Sequence, residues 1–529
     1  MRKKPPISRR SLTPAAAVAL LMAGAMLTVS CSAGSASNAA NVSSRSGTPG
    51  TPRPSVTIAP SRTPSPSSTT SPSSTPGPTC KPSSSGKPSS SGKQSPSGRH
   101  GAAPGSEETG TLSNGTTWVA DLPRSWNGTL ILYSHGFGAL TASDAPDPET
   151  QAALLSEGYA LAGSSYDPNG SEWALDTAVC DQFGALAAVQ ATVLPSPPKH
   201  VIAFGTSMGG LISALEAEQG KGKIDGALTT CGVVAGGVNL DEYQIDGEYA
   251  IAQLLGSAGM PLVGLDYDGA LGTAETLSAD AARAQQTPAG RARLALAMAF
   301  LNVPTWDPSG SEPAPADDPE AQEEAQYDAL FGGSFSTMDF IVTGRVSIEQ
   351  AAGGQATWDT GTNFAQAFAG SPQAAEVEAL YRAAGLNLGA DLATLTAHTS
   401  LTADPVALKS LAATSDPTGQ LAVPELDLHT IGDNLVPVQM ENYYANLVDK
   451  AGRGALLRQA YTDSFGHCNF SVSEQVAGIQ AVEYRVATGQ WGSVATAAGL
   501  ERAATSLNLD QARFTDYSPG ELTGAVPAG

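Results

Sequence analysis

An α/β protein with a mostly parallel, doubly wound sheet is expected from three features of the sequence. Short apolar, β-rich runs alternate with helical stretches from Thr117 onward, the pattern of strands joined by crossover helices. One of those strands, His200 to Phe204, runs straight into Gly205-Thr206-Ser207-Met208-Gly209 and then a helix. The rhythm breaks once, over residues 237–421, an Ala-rich stretch of helical pattern lying between sheet strands. An insertion of that size reads as a lid over the edge where the strands end.

Taken in order, residues 1–31 read as an export signal. Arg2, Lys3, Lys4, Arg9 and Arg10 precede the apolar run Pro14 to Val29, which at about 16 residues is short of the roughly 20 that a permanent span needs. Ser8-Arg9-Arg10-Ser11-Leu12 resembles a twin-arginine export motif, which implies translocation after folding. Leu27-Thr28-Val29-Ser30-Cys31 resembles a bacterial lipobox, with Thr28 where Leu is more usual. That resemblance implies lipidation of Cys31 and anchoring to the outer face of the cytoplasmic membrane; the alternative is an ordinary cleaved signal peptide.

Residues 32–106 follow, and 53 of these 75 are Ser, Thr, Pro or Gly, so ordering the backbone would go uncompensated by apolar burial. The segment reads as an extended stalk, with Cys80 in it either free or paired between chains. The fold proper is then expected in two segments, 107–236 and 422–529, around the insertion at 237–421. Residues 1–105 carry 12 Lys or Arg and no acid, leaving 16 basic against 50 acidic residues beyond them, a formal charge of −34. A surface that acidic repels phosphate backbones, so nucleic acid is excluded as a partner; the expected membrane contact is the N-terminal anchor alone.

Within the first core segment, Gly128 to Ser134 reads as a buried strand ending in His135-Gly136-Phe137-Gly138, and Gly158 to Ser164 as another. A helix is expected over Asp176 to Leu194, stopped by Pro195, Pro197 and Pro198, and a further strand near Gly226 to Val234. Strands return at Glu425 to Thr430 and Ala455 to Tyr461.

The chemistry centres on Ser207. A strand turning sharply into a helix forces the serine into a strained conformation and leaves room only for small residues two positions away, here Gly205 and Gly209. The turn lifts the hydroxyl clear of the sheet and aims the Met208 N–H, at a helix start, toward an oxyanion. The serine needs a base, and the chain has six His. His100 is in the stalk, His398 in the insertion, and His200 at the wrong end of its strand. His429 reads as a satisfied core residue, and His135 suits an oxyanion loop. That leaves His467, in the loop after the strand ending near Tyr461. For the acid that orients it, Asp433 in Gly432-Asp433-Asn434-Leu435-Val436-Pro437 is preferred to Asp463, too near in sequence, and to Asp427, in mid-strand.

The order Ser207, Asp433, His467, with the His-Gly loop upstream, resembles the α/β-hydrolase fold family over about Thr117 to Trp491. The resemblance implies a lid after the sixth strand, a second oxyanion donor at the Phe137 N–H, and transfer of an acyl group from a small ester or amide to water. Trp173, in the loop Tyr166 to Asp176, lines a substrate pocket or packs against the lid, and the Phe137 side chain is a second lining candidate. The chain also resembles secreted tannases and feruloyl esterases, in which a disulfide braces the histidine loop, although Thr206 stands where that subfamily has Cys. The pair it implies is Cys231 with Cys468; Cys180 with either is the alternative. No metal-ligand spacing and no phosphate loop occurs, so neither metal nor cofactor is expected. A carboxylic-ester hydrolase is the first functional expectation; an amidase or peptidase using the same residues, or a catalytically silent surface-binding module, are its rivals.

Overall fold

The computed structural model describes residues 105–308 and 312–527. The expected export signal with Cys31, and the stretch of the stalk holding Cys80 and His100, lie outside these residues.

Nine strands form a single sheet: β1 (Glu107–Thr111), β2 (Thr117–Asp121), β3 (Thr129–Ser134), β4 (Ala160–Ser164), β5 (His200–Thr206), β6 (Gly226–Thr230), β7 (Glu425–Gly432), β8 (Leu457–Phe465) and β9 (Phe514–Thr515). Their order is β1-β2-β4-β3-β5-β6-β7-β8-β9. The six strands from β4 to β8 in that order are mutually parallel, while β1, β2 and β9 pair antiparallel at the two edges. Two edge strands escaped the sequence reading for a physical reason. Residues 107–111, EETGT, carry no apolar alternation because the strand is half exposed, and β9 is two residues long. β8 also runs four residues beyond its expected end, to Phe465.

Helices cover both faces. α1 (Pro148–Ser156) lies on one face, and α2 (Ala178–Thr192) and α3 (Met208–Gln219) on the other. β3 shows how the alternation works: Leu130 and Leu132 pack with α2 and α3, and Ile131 and Tyr133 with α1. Side chains of period two therefore serve two cores, which is why the central strands read as unbroken apolar runs. The connections leaving the neighbours β3 and β5 depart to opposite faces, opening a crevice at their C-terminal ends. This is the α/β-hydrolase arrangement the sequence resembles.

Between β6 and β7 come α4 (Gly237–Leu255), α5 (Tyr267–Ala284), α6 (Pro288–Phe300), α7 (Pro319–Phe331), α8 (Thr337–Ala352), α9 (Phe364–Phe368), α10 (Ala374–Ala383), α11 (Leu388–Ala397) and α12 (Pro405–Ser415). This helical insertion has a core of its own around Leu277, Met298, Phe300 and Phe364. α4 and α8 join it to the sheet: Leu240 and Ile348 pack into the sheet-side core, and Ile251 and Ile341 into that of the insertion. A buried ion pair ties these two helices together. Arg345 on α8 reaches Asp241 at 2.8 Å and Glu248 at 2.6 Å, both on α4, with every partner at least 98 % buried. The chain closes with α13 (Gln439–Lys450), α14 (Val472–Thr488) and α15 (Ala497–Leu507), the last two on the α1 face.

Many acids are buried without a cation. Both carboxyl oxygens of Glu216, Glu376 and Asp427 lack a hydrogen-bond partner. Burial pushes Glu376 up to about 8 and Asp416 to about 7, and Glu216 and Asp427 well above the ordinary range. A carboxyl raised in the folded state holds a proton that the unfolded chain has already released above about pH 4. Its contribution to stability is complete below that pH and is lost as pH rises through the folded value. The thermal midpoint should therefore be higher at pH 5 than at pH 8 at fixed ionic strength; a midpoint that rises between those values would contradict the burial of neutral acids.

Candidate active site

The turn from β5 into α3 carries Ser207 at φ 61° and ψ −122°, in the region where a side chain is strained. The backbone is held there by close neighbours. A Cβ on Gly205 would lie 1.8 Å from the Gly209 carbonyl oxygen, and one on Gly209 would lie 1.9 Å from that of Ser134 at the end of β3. No other residue fits at either position. The Ser207 N–H donates to the Thr230 carbonyl at 3.0 Å, fastening the turn to β6. α3 begins at Met208, directly after the serine, so the Met208 N–H is among the helix-start donors that have no intrahelical acceptor.

His467 and Asp433 converge on this serine. Nε2 of His467 lies 2.8 Å from Ser207 Oγ, and its Nδ1 lies 2.8 Å from Asp433 Oδ2. Because a carboxylate only accepts, Nδ1 carries the ring proton and Nε2 is left to accept from the hydroxyl. Asp433 is 2 % exposed, and its second oxygen accepts from the N–H groups of Leu435 and Val436, both at 2.9 Å. Burial opposes its ionisation, but the electrostatic pull of the His467 ring and hydrogen bonds from His429 and His467 outweigh it and hold the carboxyl well below its usual range.

The loop bearing His467 is tied down at both sides. The Gly466 N–H donates to the Gly432 carbonyl at 3.0 Å, and Thr430 Oγ1 donates to the Gly466 carbonyl at 2.9 Å. Cys468 is bonded to Cys231, just beyond β6, and both cysteines take a positive φ. Cys180 is disulfide-bonded as well, so its pairing with Cys231 or Cys468 is ruled out. Among the described residues, Cys231, His467 and Cys468 are the only three metal-capable side chains gathered within 4.8 Å, and two of their ligand atoms are joined to each other.

His135 braces the opposite wall. Its ring stacks on Tyr166 at 4.3 Å, its Nδ1 lies 2.8 Å from the Gly136 carbonyl, and the Tyr166 hydroxyl donates to the His135 carbonyl at 2.9 Å. Burial lowers its proton affinity, so this imidazole is neutral. Gly136 then passes so near that a Cβ on it would be 3.3 Å from that of Ser207.

Ser207 opens into a cavity of only about 40 Å³, lined by Phe137, Trp173, Met208 and Val436 and roofed by Leu240 and Gln244 of α4 and Phe340, Ile341 and Ile348 of α8. Trp173 lines this cavity, and its Nε1 donates to Ser415 Oγ of α12 at 3.0 Å. The roof residues carry no sequence signature, since each sits on an ordinary apolar helix face. A larger cavity of about 500 Å³ lies behind Asp433, lined also by Trp306, Glu376 and Tyr517, and does not include Ser207. The other two acids are engaged elsewhere: the Asp427 carboxyl is buried in β7 with neither oxygen hydrogen-bonded, and the Asp463 N–H donates to the Arg513 carbonyl beside β9.

No family model matches the chain. It is 29 % identical over 446 residues to an o-phthalyl amidase of Xanthobacter agilis, covering 78 % of this chain and 96 % of that protein. Among solved structures, feruloyl esterase B of Aspergillus oryzae aligns over 72 % of this chain and 80 % of its own at 14 % identity and a TM-score of 0.36. A rice cell wall degrading esterase, LipA of Xanthomonas oryzae, covers 72 % of this chain and 87 % of its own at 14 % identity and a TM-score of 0.31. Likenesses that distant say nothing of chemistry.

The bond between Cys231 and Cys468 spans 237 residues and closes the histidine loop onto β6. Replacing both with Ser should lower the unfolding free energy by about 2–4 kcal/mol in urea titrations, because the unfolded chain gains the freedom the crosslink removes. An unchanged midpoint would mean that the loop's hydrogen bonds suffice.

Proposed function

We propose that this chain is a serine hydrolase that cleaves carboxylic esters by way of an acyl-enzyme, with Ser207 as nucleophile, His467 as general base and acid, and Asp433 as the group that orients His467. The observation that carries the reading is the relay from Ser207 Oγ to His467 Nε2 and from Nδ1 to a buried, ionised Asp433, each step 2.8 Å long. Ser207 Oγ attacks the acyl carbon as its proton passes to His467 Nε2. The carbonyl oxygen gains the negative charge and is met by the N–H groups of Met208 and Phe137. When the tetrahedral intermediate collapses, the bond to the leaving group breaks and His467 returns the proton to it. Water then repeats the sequence on the acyl-serine, releasing the acid and restoring the hydroxyl.

Phe137 and Trp173 bound the acyl group in this reading. The N-terminal resemblances support an exported protein held at the outer face of the cytoplasmic membrane through Cys31. A second reading, cleavage of amides, draws support from the amidase relative, which spans nearly all of its own length in the match. The residues are the same in either case, since His467 protonates an amine as readily as an alkoxide.

A fluorophosphonate should label the protein at a single site. Ser207→Ala should abolish labelling while leaving the fold intact, because removing a half-buried hydroxyl that faces the cavity at a strained turn disturbs no core contact. Labelling that survives in this variant would dismiss Ser207 as the nucleophile, and an unlabelled wild type would favour the silent binding module. Matched p-nitrophenyl esters and p-nitroanilides should be cleaved in favour of the esters; the reverse ranking would transfer the proposal to amides.

A further inference from the structure

We propose that a third cavity, walled by α4, the loop leading into α9 and the segment 521–527, is a binding site for a small primary ammonium compound, gripped between Glu242 and Asp246. Its volume is about 500 Å³, and Ser207 is not among its lining residues. That size is ordinary for a small-molecule site.

The argument begins with unanswered acceptors. Three carboxyl groups line the cavity, those of Glu242, Asp246 and Glu521, and no Lys or Arg is among the lining residues. Glu242 and Asp246 stand one turn apart on α4 and are 3 % and 1 % exposed. Glu242 takes its hydrogen bonds on one oxygen: Oε2 accepts from Thr357 Oγ1 at 2.7 Å and from the Trp358 N–H at 3.2 Å, and Oε1 is left over. Asp246 Oδ1 has no hydrogen-bond partner, and Oδ2 lies 3.1 Å from where a Cβ on Gly524, across the cavity wall, would be. A buried acceptor that nothing answers is costly, and a donor seated in the cavity removes that cost. Arg345, which faces α4 from α8, is committed to Asp241 and Glu248. The charges acting on the pair are acidic too: Asp359 acts on both, and Asp241 on Glu242. Burial first, and these neighbours after it, raise Glu242 to about 8 and hold Asp246 well above the ordinary range, so a cation between them takes the place of a proton.

The walls are fixed without a ligand. Asn302 accepts from the Thr523 N–H at 2.8 Å and donates to the Thr523 carbonyl at 3.1 Å, and Asn239 accepts from the Val526 N–H at 2.8 Å. The segment is therefore pinned on both sides of Gly524. Geometry also chooses the kind of cation. A divalent metal needs its oxygens gathered about one point, and among the described residues only Cys231, His467 and Cys468 are drawn together so closely. An ammonium has three donors, and at about 2.9 Å to each acceptor it bridges oxygens roughly 6 Å apart. Trp358, Leu522 and Val526 add apolar surface beside the acids, which suits a ligand with an apolar body.

The test is isothermal titration of the full chain at pH 8.5 with phenethylamine, with 2-phenylethanol and calcium chloride as comparisons. The amine should bind at one site with a Kd of about 1 mM or tighter, and the alcohol and calcium should bind about tenfold more weakly or not at all. Asp246→Asn keeps the shape and removes one charge, and should weaken the amine by about tenfold or more. Glu242→Gln should do the same, and serves should the first variant not fold. Equal binding of the alcohol would reduce the cavity to an apolar pocket, and preference for calcium would make it a metal site. No binding of the amine, or binding that neither variant moves, would remove the site. Each of these results overturns the proposal, and none bears on Ser207, whose labelling is read separately.

Discussion

The site depends on one steric constraint, the backbone crowding around Ser207. Residue 207 sits at φ 61° because β5 must reverse into α3 within one residue while Gly205 and Gly209 touch backbone atoms that would exclude any Cβ. The contacts come from three elements at once: the turn itself, the end of β3, and β6 through the bond from Ser207 N–H to Thr230. A strained residue persists only where its surroundings over-determine it, and a parallel sheet buried on both faces supplies that rigidity. Ser207 is consequently set at the crevice between β3 and β5, where outgoing connections diverge and a small molecule can approach.

What was legible in the sequence follows from the same physics. Ser207 stood out because its turn restricts the residues two positions away, and His467 and Asp433 because they lie in loops just after strands and so at the same edge of the sheet. The insertion was visible as a loss of strand rhythm between β6 and β7. His429 was read as a satisfied core histidine, which it is, yet the satisfaction comes from Glu441 on α13 and from the loop that carries Asp433. No spacing rule reports that contact, because α13 is brought against β7 only by the fold. The roof over Ser207 was hidden for a related reason: Phe340 and Leu240 look like any apolar helix residues until α4 and α8 are laid across the crevice. β1 was invisible because an edge strand needs no apolar face.

Electrostatics set a second theme. The chain buries several carboxyls with nothing opposite them, and burial keeps these protonated. Asp433 is as deeply buried and yet ionised. The difference lies in its partners: two backbone N–H groups on one oxygen, and His467 with His429 beyond it on the other. A buried carboxylate survives only where donors and opposite charge replace the water it has lost, and among these acids that provision is made most fully at the site.

The roof raises a requirement that the closed arrangement does not itself meet. The cavity of about 40 Å³ beside Ser207 is far smaller than the roughly 300–1,000 Å³ of an ordinary small-molecule pocket. The sheet-side walls cannot yield: Met208 is fixed by the turn, and Trp173 is anchored to Ser415. The α4–α8 pair is also stiff as a unit, because Arg345 joins the two helices through buried bonds to Asp241 and Glu248 whose rupture would leave uncompensated charge. The edge-on contact between Phe340 of α8 and Phe137 of the oxyanion loop, with ring centres 5.6 Å apart, is of another kind, since it holds no polar group and costs little to separate. If Ser207 is to meet an ester of ordinary size, the opening that costs least runs between those two rings, with α4 and α8 shifting together. In the proposed reaction the binding of the acyl group and the approach of the Phe137 N–H to its oxygen would then be linked, since the ring at that opening belongs to the residue proposed as the second oxyanion donor.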